Sequence, residues 1–439
     1  MTAPAASAAG SSAPRTHVRW FPVLALIAFG TMLNYLDRTV LGIAAPSLTR
    51  DLGLTAAMMG VAFSAFSWSY ALLQIPGGIF LDRFGTRFTY TVALVGWSGC
   101  TAAMGLVGSL PQLVLTRIGV GIFEAPCFPA NSRVLASWFP QHERARANAT
   151  YSVGQYAGIG FFSVPLFLIA QRFGWRGLFA IVGILGVLFG LLWWRVYRDP
   201  SQSTSVNDAE LRYIEAGGGG EYKGQRLDFS WSQIGRLLRY RQILGACIGQ
   251  FGGNSTQVFF LTWFPTYLVT ARGMTFINAG LYASIPYVGA AIGVLTGGFL
   301  SDYLLKKTGS ANIARKLPVV TGLFLASTII VANYVPAGSN GVVIAVMSLA
   351  FFGQGMTNLG WTVLSDIAPK QVIGLAAGIF NFSANVAGII TPLVIGVALG
   401  ASGSFVGPLI YIAVVALLGA FSYIVLLGDI KRLEWEKES

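Results

Sequence analysis

The sequence predicts an all-α membrane protein in which twelve transmembrane helices form two six-helix bundles. Of its 439 residues, 54% are hydrophobic and only 10% are charged, whereas soluble proteins average about 25% charged residues. Apolar runs long enough to cross ~30 Å of hydrocarbon, at ~1.5 Å per helical residue, recur along the chain. The composition therefore excludes an ordinary soluble enzyme, and the recurring runs indicate a multi-pass membrane protein.

The order of apolar and polar segments divides the chain into two halves. Residues 1–19, rich in Ala and Ser, are predicted to form a cytoplasmic tail, because the apolar run after them is too long for a removable signal peptide. Residues 20–197 form the first bundle, 198–240 a cytoplasmic linker with four consecutive glycines, 241–428 the second bundle and 429–439 a cytoplasmic tail. The predicted spans are 20–45, 56–80, 88–108, 112–136, 147–170, 176–197, 241–268, 277–300, 317–335, 342–366, 374–398 and 407–428.

An internal repeat supports two related bundles. The stretch GGIFLDRFGTR at 77–87 follows the second span, and GGFLSD at 297–302 follows the eighth span. Asn34 and Asn254 are separated by the same distance along the chain as these two stretches. Parallel six-span repeats, related by an axis along the membrane normal, are typical of secondary transporters.

The distribution of basic residues predicts the orientation in the membrane. The net charge is 29 − 17 = +12, which in a soluble protein would suggest a nucleic-acid partner. If both termini are cytoplasmic, 22 of the 29 Lys and Arg residues fall in cytoplasmic segments, 4 in periplasmic loops and 3 within spans. This asymmetry follows the positive-inside rule and predicts a membrane protein with both termini in the cytoplasm and no nucleic-acid partner.

The loops of the repeat are candidates for a cytoplasmic gate. Asp82, Arg83 and Arg87 follow span two, and Asp302 follows span eight. An Asp among basic residues at a helix end can bridge to a neighbouring helix terminus and separate when the two halves move. For Arg83 or Arg87 taken singly, an ordinary basic loop that obeys the topology rule explains the residue equally well.

Four charged residues are predicted to lie within the membrane. Asp37 and Arg38 are in span one, and Arg117 and Glu124 are in span four. Unpaired, they would cost on the order of 10–14 kcal/mol on insertion scales. Since Arg117 and Glu124 are seven residues apart, they lie on one face of their helix, and all four are expected to face one another across a polar cavity.

These charges suggest a means of coupling two solutes. Asp37 and Glu124 are the candidate proton carriers, and Arg38 and Arg117 are their partners or the anchors for a carboxylate. Protonation of an acid would free a guanidinium to bind an anionic substrate, so that proton and anion binding favour each other. The alternative is a pair of structural salt bridges, which are poor stabilisers compared with apolar packing.

Polar side chains elsewhere in the spans favour a polyhydroxylated ligand. For each of them an interhelical hydrogen bond, worth about 0.6 kcal/mol on average, is the competing explanation. The second half offers neutral groups where the first half has acids, since Gln257 occupies the position that the repeat relates to Asp37. The candidate substrate-binding residues, besides the two arginines, are Tyr35, Tyr70, Gln155, Gln257, Asn358, Trp361, Asn381 and Asn385.

Several of these stretches together resemble the anion:cation symporter family of the major facilitator superfamily. They are Asn34 to Arg38, Tyr70 to Gly78, Arg117 to Ala130, Ala377 to Phe382 and Gly388 to Pro392. The resemblance covers essentially the whole chain beyond the first tail and looks closest to bacterial symporters of D-galactonate and their hexuronate and glucarate relatives.

The resemblance implies the major facilitator fold in a bacterial inner membrane. It also implies import of a sugar acid, such as a galactonate-like aldonate or a hexuronate, driven by protons through alternating access. By matching position, it makes Asp37 and Glu124 the proton-coupling acids and Arg38 and Arg117 their partners or anchors. It places Tyr35, Tyr70 and Gln155 at the substrate, facing Asn381. The second gate copy departs from the pattern, with Tyr303 where the first has Arg83.

Other functions stay open at this level. Within transport, the alternatives are uptake of glucarate or of an aromatic carboxylate, and exchange of one organic anion for another. A membrane enzyme or sensor is the third class, but His17 and His142 lie outside the spans and cannot form a catalytic pair there. Apart from the proton, no cofactor or metal is expected. The expected partners are the organic anion and the lipid bilayer, and the protein is expected to act as a monomer.

Overall fold

The computed structural model describes residues 15–220, 231–336 and 338–435, apart from the side chains of residues 145, 149, 152–155, 157, 231 and 370. Within these ranges the chain is folded into helices joined by loops. In the first half and the linker the helices are α1 (Leu24–Leu52), α2 (Ala56–Met104), α3 (Leu110–Glu124), α4 (Cys127–Trp138), α5 (Arg144–Val196) and α6 (Asp208–Ala216). From the end of the linker onward they are α7 (Trp231–Leu237), α8 (Arg241–Thr262), α9 (Phe264–Thr266), α10 (Phe276–Thr308), α11 (Ala311–Ser327), α12 (Asn340–Met356), α13 (Gly360–Ile367), α14 (Ile373–Ser402) and α15 (Val406–Val425).

Nine helical segments in the described part of the chain are long and apolar enough to cross a membrane. Two of the longest helices are each divided by a glycine with non-helical angles: α2 at Gly85 (φ 76°, ψ 168°) and α5 at Gly174 (φ 67°, ψ 178°). Positive φ suits glycine, which has no Cβ to clash. The all-α membrane fold is thus confirmed, whereas the count of twelve spans stays a prediction.

Local sequence signals explain where several helices begin and end. The side chains of Thr55 and Thr275 accept hydrogen bonds from the third backbone N–H beyond them and cap α2 and α10. At the other end, Gly53 and Gly309 adopt left-handed conformations that terminate α1 and α10. These signals fix where α1 ends, where α2 begins and both ends of α10.

The two halves pack closely toward the end of the bundle where α1 ends and α2 begins, which we call the distal end. A Cβ on Gly60 of α2 would lie 2.6 Å from the carbonyl oxygen of Pro392 on α14, and one on Gly42 of α1 would lie 2.7 Å from that of Leu261 on α8. Such distances require glycine. Backbone therefore packs directly on backbone across the seam near the distal end.

At the opposite, termini end, the start of the described chain and helix α6 of the linker are joined to the first half by charged groups. Arg19 is 2% exposed and pairs with Glu143 at 2.9 Å and with fully buried Glu210 at 2.8 Å. The hydroxyl of Thr16 also donates to Glu210, and Tyr213 donates to Glu143 at 2.8 Å. Helix α6 is thereby attached to the first half.

The second tail is attached to the second half in a similar way. The backbone N–H of Leu433 donates to the carbonyl oxygen of Ile367 at 2.8 Å, and the Tyr240 hydroxyl donates to that of Glu434 at 3.0 Å. The guanidinium of Arg236, on α7, lies 4.6 Å from the ring centroid of Trp435. The two ends of the linker are therefore held by different halves, as a linker between two bundles requires, and the predicted domain boundaries stay a prediction.

Glu210 provides a test of this attachment. Burial opposes ionisation of Glu210, but hydrogen bonds from Thr16, Val18 and Arg19 outweigh it and hold its pKa below the ordinary value. A lowered pKa contributes stability above the ordinary carboxyl pKa, and this contribution is lost as the pH falls through the lowered value.

We expect Glu210→Gln to reduce the free energy of unfolding at neutral pH by about 1–3 kcal/mol, because it removes the charge from a buried hydrogen-bonded pair. The fall in apparent melting temperature between pH 7 and pH 4, measured in detergent, should also become smaller. Glu215→Gln, an exposed position on the same helix, is the control. Equal melting behaviour of the two variants would contradict the attachment.

Candidate functional site

Four charged side chains from two helices meet in the middle of the first half, three of them buried and Arg38 partly buried. Asp37 and Arg38 lie in α1, and Arg117 and Glu124 lie in α3. Glu124 is completely buried, and Asp37 and Arg117 are 3% and 2% exposed. The seven-residue spacing on α3 places both of its charges toward α1, as the sequence predicts. We call these four residues the charge quartet.

Arg38 forms a direct ion pair with another member of the charge quartet. Its Nε lies 3.3 Å from Oε1 of Glu124. Its guanidinium also lies 4.8 Å from the ring centroid of Phe66, 5.0 Å from that of Tyr70 and 5.1 Å from that of Tyr35. A cation among three aromatic rings is stabilised by their quadrupoles, so Arg38 is held by one carboxylate and an aromatic wall.

Arg117 has a different environment. Its guanidinium lies 5.1 Å from the ring centroid of Phe66, on the same ring that Arg38 approaches. Its Nε and Nη1 atoms are buried without a hydrogen-bond partner among the described residues, and the same is true of Oδ1 of Asp37. The carboxyl groups of Asp37 and Glu124 are nevertheless its electrostatic neighbours. Arg117 thus retains donors that a ligand carboxylate could engage.

A cavity lies beside the charge quartet, between the two halves. Arg38 and Arg117 both line it, together with Tyr35, Phe66 and Ser67 from the first half. On the opposite wall are three amide side chains, and apolar residues complete the lining. The amides are Asn254 and Gln257 of α8 and Asn385 of α14.

The amides are oriented by the protein itself. Gln257 donates to the hydroxyl of Tyr156, in the other half, at 3.2 Å. Asn254 donates to the carbonyl oxygen of Ala384 at 2.5 Å, and Asn385 donates to that of Asn381 at 2.9 Å. Each amide uses its nitrogen in these bonds, so its oxygen is available to accept a hydroxyl proton.

Asn254 is a cavity residue that the sequence prediction of the site omits. Two signals pointed to it: the repeat relates it to Asn34, and it precedes Gln257 by three positions, which places both on one face of α8. Ser67 was also omitted, because a single Ser in an apolar span gives no distinguishing pattern.

Other predicted substrate-binding residues do not line this cavity. Tyr70 lies behind it, against Arg38. Asn381 donates to Oε1 of Gln74 at 2.5 Å and joins the two halves there. Trp361 packs edge-on against Phe380, with ring centroids 4.9 Å apart, and is 40% exposed.

Asn358 and Gln155 are two further residues that the sequence predicts to bind substrate. Asn358 lies in a short 3-10 turn, Thr357–Leu359, between α12 and α13. The side chain of Gln155 falls outside the described residues. The contribution of both, like that of Tyr70, Trp361 and Asn381, to substrate binding stays a prediction.

The candidate gate residues form ion pairs within each half. Asp82 lies 3.3 Å from Nη1 of Arg133 on α4. Asp302 lies 3.8 Å from Nη1 of Arg315 on α11, whose Nε lies 3.1 Å from Asp366 on α13. Both acids therefore bridge to a neighbouring helix, as the loop pattern predicts, and their part in gating stays a prediction.

The two basic residues of the first gate loop have other neighbours. The guanidinium of Arg83 lies 5.4 Å from the ring centroid of Phe84. Arg87 donates to the carbonyl oxygen of Trp194 on α5. Neither contact involves a carboxylate, so the charges of these arginines are not used in the ion pairs that hold the loop.

The charged and amide side chains around the cavity match the chemistry of a small organic anion that also carries hydroxyl groups. Two guanidiniums line one wall of the cavity, two buried carboxylates stand behind them, and amide oxygens face them from the other half. Guanidiniums suit a carboxylate and amides suit hydroxyl groups. A solute that carries both kinds of group matches the two walls.

The chain is similar to known membrane transporters along most of its length. The family model described as Major Facilitator Superfamily matches residues 27–392. The chain is 43% identical to the probable galactarate/D-glucarate transporter GudP of Escherichia coli (strain K12), over 97% of each chain. It is 40% identical to the D-galactonate transporter of Escherichia coli O6:H1, over 94% of this chain and 97% of the relative.

A solved structure supports the fold at lower sequence identity. A bacterial homologue of the human lysosomal transporter Spinster, in an inward-facing and occupied conformation, superposes with a TM-score of 0.72 at 20% identity. The match covers 92% of this chain and 96% of that chain.

Proposed function

The chain belongs to the Major Facilitator Superfamily, and we propose that it is a proton-coupled symporter that imports a sugar acid by alternating access. The family and the similar chains are membrane transporters, so the protein is a multi-pass membrane transporter rather than an enzyme. The single observation that carries the proposal is the charge quartet beside a cavity between the halves.

The net charge of the charge quartet couples proton binding to anion binding. Two guanidiniums and two carboxylates sum to zero, which is the state that burial favours. A substrate carboxylate would add a negative charge to this buried group. Protonation of Glu124 or Asp37 removes one negative charge and restores neutrality, so each binding event makes the other more favourable.

Glu124 is the acid whose protonation would couple most directly to anion binding. Its Oε1 lies 3.3 Å from Nε of Arg38, and both arginines are within its electrostatic reach. Protonation would weaken this ion pair and release Arg38 toward the cavity that it lines. Asp37 would act in the same way on Arg117, its electrostatic neighbour. The two acids are therefore proposed as the proton carriers, with no other cofactor.

The substrate proposal is based on the two walls of the cavity. A carboxylate would bind at Arg117 first, because among the described residues Arg117 makes no ion pair and its Nε and Nη1 lack hydrogen-bond partners. Arg38, whose Nη2 also lacks a partner, is paired with Glu124 and would bind the carboxylate after protonation. Hydroxyl groups would donate to the amide oxygens of Asn254, Gln257 and Asn385. A galactonate-like aldonate or a hexuronate carries one carboxylate and several hydroxyls, as this arrangement requires.

An aldarate such as galactarate or glucarate is the second candidate. Two guanidiniums line the same wall, so two carboxylates can each find a cation. The 43% identity to a probable galactarate/D-glucarate transporter favours the same class. An aromatic carboxylate fits less well, since the amides would then be left without hydroxyl partners.

The orientation proposed from the basic residues places both termini in the cytoplasm of a bacterial cell. The distal end, where Gly60 and Gly42 bring backbones together, then faces the periplasm. With that end closed, substrate in the cavity would leave toward the cytoplasm once the hydrogen bond between Asn381 and Gln74, which joins the halves on that side, is broken. This is the direction that import needs.

Transport by purified protein in proteoliposomes tests the proposal. We expect an inward proton gradient to drive accumulation of labelled galactonate, glucuronate or galactarate. Glu124→Gln should abolish accumulation but retain exchange of internal for external substrate, because Gln imitates the protonated acid. Glu215→Gln, on the surface of α6, should transport normally. Accumulation of none of these acids, or normal proton-driven accumulation by Glu124→Gln, would contradict the proposal.

The two arginines should respond differently to a conservative change. Lysine keeps the charge but loses the planar fork that holds a carboxylate by two hydrogen bonds. We expect Arg117→Lys to weaken substrate binding roughly tenfold or more at any pH, on the order of 1.5–3 kcal/mol. Arg38→Lys should weaken binding mainly at low pH, where Glu124 has released this position. Titration calorimetry at pH 5.5 and 8 distinguishes them, and identical pH dependence of the two variants would reject the assignment.

A further inference from the structure

A group of basic and aromatic side chains lies on the outer surface of the first half, at the termini end and away from the cavity. Nε and Nη2 of Arg87 donate to the carbonyl oxygen of Trp194 at 2.8 and 2.6 Å, and Nη1 of Arg198 donates to the same oxygen at 3.1 Å. Two guanidiniums thus converge on one oxygen. We call Arg87, Arg198, Trp194 and Phe88 the arginine patch.

The two guanidiniums have no acidic partner. In the ranges that the structure describes, no carboxylate oxygen lies within 4.0 Å of Arg87 or Arg198. Asp199, the next residue, accepts a hydrogen bond from the hydroxyl of Tyr197 at 3.0 Å, and Asp82 is paired with Arg133. The patch therefore carries uncompensated positive charge.

Exposed aromatic rings adjoin these cations. The guanidinium of Arg87 lies 4.0 Å from the ring centroid of Trp194, and the rings of Trp194 and Phe88 are 6.4 Å apart in an edge-to-face arrangement. Trp194 and Phe88 are 42% and 41% exposed. Both lie at the ends of predicted spans, at the depth where Trp commonly marks the membrane interface.

The ranges that the structure does not describe contain few charged side chains. Residues 1–14 contain none, residues 221–230 contain two acidic and two basic residues, and residues 436–439 contain Glu436, Glu438 and Lys437. Their formal side-chain charges sum to 0 + 0 − 1 = −1, which does not balance the two guanidiniums of the patch. The remaining counter-charge is therefore sought outside the chain.

We propose that the arginine patch binds an anionic phospholipid. The phosphate would accept hydrogen bonds from the two guanidiniums, and the acyl chains would lie along the exposed rings of Phe88 and Trp194. Basic groups between helix ends at headgroup depth are suited to anionic lipid, and adjacent apolar surface distinguishes a lipid from a soluble phosphate. This site is separate from the transport cavity, and the inference holds whatever solute the cavity carries.

Native mass spectrometry of the full-length protein with phosphatidylglycerol and phosphatidylcholine at equal concentration tests the site. We expect preferential retention of phosphatidylglycerol. Arg87→Gln with Arg198→Gln should lower its affinity roughly 25-fold, since each basic residue near an anionic surface contributes ~1 kcal/mol and 1.4 kcal/mol is tenfold. The matched control, Arg212→Gln with Arg239→Gln, removes two exposed arginines from the linker and should change affinity less than twofold.

Measurements on the unaltered protein keep the proposal falsifiable if the double variant does not fold. The preference for phosphatidylglycerol should decrease as salt is raised from 0.05 to 0.5 M, and millimolar sn-glycerol 1-phosphate should not displace the lipid. Equal retention of both lipids, loss of binding in the control variant alone, or displacement by the soluble phosphate would overturn it.

Discussion

The ion pair between Arg38 and Glu124 is the contact on which the proposed transport cycle depends. It joins α1 to α3 at 3.3 Å, with Glu124 completely buried. Breaking a buried pair by removing one charge is costly, commonly about 3–5 kcal/mol. That cost is what makes the pair useful, because a proton and an anion arriving together can separate it without leaving a net buried charge.

The contacts around this ion pair are of two kinds: some join the two halves, and others lie within one half. Backbone contacts at Gly60 and Gly42 bring the halves together at the distal end. At the other end, the candidate gate pairs lie within their own halves, and the linker is attached to both. Each half can therefore keep its internal ion pairs while the seam between the halves changes.

Much of this arrangement could be predicted from the sequence, because the physics involved is local or periodic. Charged side chains are costly within a membrane, so four of them in apolar runs are recognisable as candidate functional residues. The seven-residue spacing of Arg117 and Glu124 places both on one face of their helix. The Gly-Gly loop that recurs after the eighth span predicted two related halves. Helix ends at Gly53 and Gly309 follow from glycine's tolerance of left-handed backbone.

The remaining features depend on rotamers and on contacts between distant residues, which no local pattern encodes. The sequence allowed either acid to pair with either arginine, and the structure pairs Arg38 with Glu124. The attachment of Arg19 to Glu210 joins residues 191 positions apart. Likewise, the sequence predicts Trp361 among the substrate-binding residues but could not predict that its ring packs against Phe380, because helix periodicity gives a face and not a neighbour.

Proton uptake on substrate binding is the most direct test of the proposed coupling between proton binding and anion binding. Purified protein in weak buffer with a pH-sensitive dye would be mixed with saturating galactonate or galactarate, and binding would be followed in parallel by calorimetry. If the charge quartet takes up a proton when substrate binds, the solution becomes more alkaline during binding. This change should disappear in the double variant Asp37→Asn, Glu124→Gln. Binding of substrate by the unaltered protein with no proton uptake at any pH from 5.5 to 8 would contradict it.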